Sequence, residues 1–398
     1  MSKFFSFGPT VMSLNPLTRV LAAAGVLSAL PWASVAQSLP VGAATPVIGQ
    51  ATVVTGRDQV GPTMNIEQSS NLAVFRWDSF NVAAGATVSH VMAKPNSQAL
   101  TVHHVYDLKA GPSLSTISGT VLSDHRVFLI SSGGIRVASG AVIEAPSLLM
   151  SSHELDAKQF ANGSYSGLAA SDTLRLVPAA NSNGYDNGVL IEANARLRTS
   201  ENGGLALLGG QVQMGGLIQS GAGAKVLLAA SAGAEVPLTD SGFLTLNVQH
   251  GQGNVANYVS MYGQVEGAGG SRPGEVVLES GAGMYMGPGA SITSAQGAVN
   301  VTLQSAMSNG GQGDMYLAGY SYSDNYALAS ASAVTSAVPP PSGAVNIRTG
   351  GGSFKISGSQ GAGAKGIWMS NVNLDAEGGQ VDLLSRRDQS SEGGNAAV

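Results

Sequence analysis

The chain contains no cysteine. That excludes disulfide cross-links and thiolate metal centres, and it suits a protein that passes unfolded through an oxidising compartment, where a premature disulfide would lock it. Charge is scarce: only 11% of residues are charged, and the net charge is −5. No basic patch exists, so nucleic-acid binding has no electrostatic support. Aromatics make up 6% of the chain. Long apolar runs are absent apart from Val20–Leu30, which is about half the length of a membrane span, so no stable membrane span is expected. No Gly-x-Ser-x-Gly element sits in a strand-to-helix setting. Calcium-binding glycine-aspartate repeats are missing too, with a single imperfect echo at Gly310–Asp314.

What the chain has is glycine, 54 in 398 residues, among 43% hydrophobic residues. This is too apolar for a disordered chain. Glycine and serine serve corners, while valine, leucine and isoleucine serve strands. Val127–Ile130 is an unbroken apolar run of strand length followed by Ser131-Ser132-Gly133-Gly134. Such a run fits a strand buried on both sides, and adjacent glycines exclude a helix there. Phe128 and Ile130 share one strand face, Val127 and Leu129 the other. After Gly203 similar segments recur at Gly204–Leu208, Ala224–Leu228, Gly274–Leu278, Ala298–Leu303, Ala344–Ile347 and Gln380–Leu384. Second short strands are expected at Val212–Met214, Val236–Leu238 and Phe354–Ile356. The spacings lie near about twenty residues or its multiples, as in a stacked-coil solenoid with inserted loops.

The N-terminus reads as a signal peptide, residues 1–36. Arg19 is its positive flank, Val20–Leu30 its apolar core, and Ser34-Val35-Ala36 its small-residue cleavage site. Its removal would take away Lys3 and Arg19 and leave a net charge of −7. Asn162–Asn187 reads as a surface excursion. Residues 309–341 read as a loop rich in Tyr, Ser and Pro, packed on the solenoid, since Pro339-Pro340-Pro341 cannot sit in a ladder.

The six histidines are expected on surfaces and loops, with His103 and His104 pointing to opposite strand faces and unable to chelate one ion together. Neither metal nor cofactor is expected. Asp107, Asp124, Glu144, Glu154 and Asp156 could supply a glycosidase-type carboxylate pair, but no repeated acidic motif accompanies them. A β-helical carbohydrate-active enzyme (lyase or hydrolase) and an autotransporter passenger stay open as alternatives. The second would require a C-terminal membrane barrel, of which the residues after Asp382 show no sign.

The stretch Phe75–Ser152 resembles the secretion domain of filamentous haemagglutinin-type exoproteins, the cargo of two-partner secretion. The motifs that carry it are Trp77, Phe80-Asn81-Val82, Pro95-Asn96, Gly119, Val127–Ile130 and Gly140-Ala141. The likeness covers roughly residues 45–300. In place of the family's Asn-Pro-Asn-Gly turn stand Ser131, Ser132, Gly133 and Gly134, whose glycines can take positive φ. The family's Asn-Arg is missing, with His103-His104 near that place. The resemblance implies an all-β fold, a right-handed parallel β-helix, over a secretion domain at 37–300 that continues as further coils at 301–398. It also implies recognition in the periplasm by the soluble repeats of a dedicated outer-membrane transporter. The chain would cross unfolded, fold outside, remain secreted or surface-bound as a non-enzymatic adhesin, and meet a glycan or protein receptor. Position in the family pattern assigns Pro95, Asn96, Ser131, Ser132, Gly133 and Gly134 to transporter recognition.

Overall fold

The computed structural model describes residues 39–387 apart from 43–44, 108–112, 162–163, 167, 170–171, 179–187, 241, 244, 250–257, 282, 306–313, 319–342 and 361–366. The chain divides into the units Met1–Gln37 and Ser38–Val398, and all of the described residues belong to the second. The expected signal peptide, Tyr320, Tyr322, Tyr326 and the proline run lie outside the described residues.

All regular structure in the described residues is β. Successive strands visit three sheets in rotation. Thr120–Ser123 lies in sheet 3, Arg126–Ser131 in sheet 1, Ile135–Val137 in sheet 2, and Val142–Ala145 is back in sheet 3. Among the described residues sheets 1 and 3 hold eleven strands each and sheet 2 eight. Strands within the coils bond in parallel to their equivalents one coil before and one coil after: Leu148 pairs with Val127 on one side and Leu205 on the other. This is a parallel β-helix. Among the described residues, antiparallel pairing is confined to the first segment, where Val41–Gly42, Ile48 and Ala51–Arg57 pair antiparallel, and to inserted segments. Stacking satisfies the backbone of short strands that could not stand alone.

Alternation places one side chain in two inside the coil. Val299, Val301 and Leu303 are fully buried there, while Asn300, Thr302 and Gln304 face outward. The interior cluster is continuous from Met64 to Ile367 and crosses residue 300 without a break. A second core lies outside sheet 1. There Phe128, Ile130, Leu149, Ala206 and Leu208 pack under an antiparallel sheet made of Glu154–Leu155, Thr173–Val177, Gly233–Pro237 and Asn247–Gln249. The unbroken run Val127–Ile130 is thereby explained. Val127 and Leu129 face the interior and Phe128 and Ile130 face the cover, so neither face needs polar residues.

Four expectations need correction. Val236-Pro237-Leu238 supplies the covering sheet rather than a coil. Val345–Arg348 belongs to sheet 3 and Phe354–Gln360 to sheet 1, the reverse of a main strand followed by a minor one, because inward Val and Ile at period two look alike on every face. Within Asn162–Asn187, Thr173–Val177 is a covering strand with Leu174 and Leu176 buried. Tyr316 stands in a sheet 2 strand, Asp314–Ala318, and packs beside Tyr285.

Candidate functional site

The first coils carry the residues singled out by the sequence. Pro95 and Asn96 lie on the corner between sheets 3 and 1, with Pro95 exposed. Asn96 shapes that corner. Its Oδ1 accepts from Gln98 N at 3.1 Å, its carbonyl accepts from Ala99 N, and its Nδ2 donates to Asn71 Oδ1 at 3.0 Å. Arg126 clamps the same corner from the next coil. Nε and Nη2 both donate to the Gln98 carbonyl, at 3.0 and 2.7 Å, and burial lowers the guanidinium pKa.

Ser131–Gly134 sits on a different corner, between sheets 1 and 2, and it is buried throughout. Ser131 Oγ donates to the Ser113 carbonyl and accepts from Ser115 Oγ, both at 3.0 Å. Gly134 N closes the turn on Ser131 O. The expected positive φ holds at Gly134, φ 99°, but not at Gly133. Gly133 is required for another reason: a Cβ there would lie 2.3 Å from the Ser113 carbonyl carbon and oxygen. The two segments assigned to recognition are thus not brought together in the folded chain.

Sequence reading missed the buried histidines. His90, His103, His104, His125 and His153 are all buried, at most 1% exposed, which overturns their expected surface placement; His250 lies outside the described residues. His103 is enclosed by Phe75, Trp77 and Phe80, with ring centroids 5.7, 5.9 and 4.7 Å away. Trp77 Nε1 donates to His103 Nδ1 at 2.8 Å, His103 Nε2 lies 2.7 Å from His90 Nε2, and His90 Nδ1 lies 3.2 Å from Leu122 O. Beside the pair, His125 Nδ1 meets Asp124 Oδ1 at 2.6 Å and its Nε2 meets Thr101 Oγ1 at 2.8 Å. His104 points the opposite way, as expected, to Tyr165 Oη at 2.7 Å.

Burial dominates the protonation of these rings. It pushes His90 down to about 3, with the nearby His125 adding to the effect. His103 is held well below the usual imidazole value by burial and then by His90. Burial brings His104 to about 3 and His153 to about 4. Among the described residues no group of three or more His, Asp or Glu is placed to hold a metal ion. Three of the candidate catalytic carboxylates have other partners: Asp124 binds His125, Glu144 pairs with Arg198, and Asp156 accepts from Lys158 N.

Residues 43–292 of the chain match the family model of the TPS secretion domain. The chain belongs to the two-partner-secretion (TPS) secretion-domain family. It is a TPS exoprotein, and the family is one of secreted cargo rather than of enzymes. A 121-residue stretch is 27% identical to the heme/hemopexin-binding protein of Haemophilus influenzae; the match spans 30% of this chain and 12% of that relative's length. Two solved structures are similar. The HMW1 secretion domain of Haemophilus influenzae has TM-score 0.44 and 15% identity, covering 84% of this chain and 97% of that one. The filamentous hemagglutinin secretion domain has TM-score 0.41 and 13% identity, covering 85% and 99%.

Proposed function

We propose that residues 37–300 of this TPS exoprotein form the module that a dedicated outer-membrane transporter reads in the unfolded state. Residues 1–36 act as a cleaved signal peptide for passage into the periplasm. Pro95-Asn96 and Ser131–Gly134 are the recognised segments. Outside the cell the coils wind as a right-handed β-helix, the usual hand of parallel crossovers, and the outer faces serve as a surface adhesin for a glycan or protein receptor.

One observation carries this reading. Ser131, Ser132, Gly133 and Gly134 are buried in the folded chain, so a transporter can reach them only before the coils close. Each coil that closes buries apolar area at about 25 cal/mol per Å², a driving term for outward movement that requires no nucleotide.

The test is secretion with the cognate transporter co-expressed. Wild-type chain reaches the medium and begins at Gln37, while Gly133→Val accumulates in the periplasm and Ser131→Ala is largely exported. Equal export of both variants would remove the turn from the recognition site. Efficient export without any partner pore would overturn the two-partner route for this chain.

A further inference from the structure

The hydrogen bonds around His103 fix the position of every ring proton. Trp77 Nε1 carries a hydrogen and nothing to accept with, so His103 Nδ1 is bare and accepts it over 2.8 Å. His103 therefore holds its proton on Nε2 and donates to His90 Nε2 at 2.7 Å. His90 must then hold its own proton on Nδ1, which donates to the Leu122 carbonyl at 3.2 Å. The chain of bonds runs in one direction, and both rings are neutral.

An additional proton has no place in it. On His90 Nε2 it would face the His103 N–H, and on His103 Nδ1 it would face the Trp77 N–H. Both rings are at most 1% exposed, so water cannot step in as an acceptor. The titratable groups that face the pair are His125 and Asp124, and the Asp124 carboxylate is engaged with His125 Nδ1. His104, on the other face of Leu100–Val105, is directed to Tyr165 and feels Arg76. The four linked groups belong to Leu72–Ser79, Thr87–Met92, Leu100–Val105 and Thr120–Ser123, strands of the first coils. Later coils stack outward from these, and repeat folding propagates from neighbour to neighbour.

We propose that the Trp77–His103–His90–Leu122 chain is a proton-sensitive latch on the secretion domain: the first coils close only when both imidazoles are neutral, and acid holds the chain in its unfolded, exportable form. Its role in export rests on the two-partner route proposed for this chain; the latch itself is a property of folding alone.

The test uses the full chain, without transporter, refolded from urea between pH 4.5 and 7.5 and followed by tryptophan fluorescence. Below about pH 6 the wild-type folding equilibrium should fall about 100-fold more per pH unit than that of the His90→Gln/His103→Gln double variant, tenfold for each lost ring. Equal slopes would overturn the latch. Should the double variant fail to fold, ¹⁵N imidazole NMR of the wild-type chain decides. Nε2–H on His103 and Nδ1–H on His90 should persist down to the pH of unfolding, whereas titration of either ring inside the folded chain would sink the proposal. Export without a partner pore would dispose of the two-partner reading and leave both of these results standing.

Discussion

Phe128 and Phe243 meet between the two layers of the second core, their ring centroids 5.6 Å apart. Phe128 comes from a sheet 1 strand and Phe243 from the segment that follows covering strand Gly233–Pro237, at a positive φ of 54°. A bulky side chain is strained in that backbone region, and here the contact with Phe128 holds it. Phe128→Ala should destabilise the chain by about 3–5 kcal/mol, the usual cost of truncating a buried Phe. Reversible urea unfolding measures it, and a loss below about 1 kcal/mol would show that the cover is not part of the cooperative fold.

Two glycines on neighbouring corners separate close approach from backbone strain. Gly133 has no positive φ, yet a Cβ on it meets the Ser113 backbone at 2.3 Å. Gly140 has φ +82° with open space around it. Gly140→Ala should therefore cost only the left-handed penalty, roughly 1–2 kcal/mol, and Gly133→Ala clearly more, because backbone must move. Thermal unfolding of the two variants ranks them; the opposite order would refute this account of the turn.

Arg126 is a fork on one carbonyl. Arg126→Lys keeps the charge but cannot place two donors on Gln98 O. The expected loss is about 1.5–3 kcal/mol, the range for hydrogen bonds from charged groups. Its local sign is faster hydrogen exchange at Ala99 and Leu100 and faster proteolysis at 94–98. Exchange unchanged from wild type would mean that Asn96 alone holds the corner.

Acid should weaken the fold through the other buried histidines as well. The folded-state values of His104, about 3, and His153, about 4, lie below the unfolded value near 6.5. Between those limits the unfolded chain binds more protons, so stability is complete above about pH 6.5 and falls as pH drops toward the folded values. Each ring contributes a slope of about 1.4 kcal/mol per pH unit. His153, held by Ser231 O at 2.9 Å, offers the cleaner test. His153→Gln should lower the slope of unfolding free energy against pH by one proton, and an unchanged slope would show that His153 already titrates in the folded chain.

Much of the solenoid was legible in residues. Glycine corners, period-two strands and recurring apolar segments describe coils, and Val299–Leu303 against Val127–Ile130 even distinguishes a strand with one wet face from one covered on both. The assignment of Val345–Arg348 and Phe354–Gln360 to particular sheets was not legible, since three sheets wrap one apolar interior and demand the same inward residues.

The candidate site divides in the same way. Composition and local period determined by themselves that this is a charge-poor, cysteine-free β-solenoid, because those properties depend on residue kind and spacing; the secretion-domain type came from the resemblance of the Trp77–Ala141 motifs to that family. Only the tertiary structure decided that His103 lies between Trp77 and His90, that Arg126 reaches Gln98, and that Ser131–Gly134 is buried against Ser113. A histidine at an alternating strand position reads as a polar surface residue until its neighbours are known. Those neighbours come from other coils, and stacking distances of a few ångströms join residues that the chain separates by a whole turn.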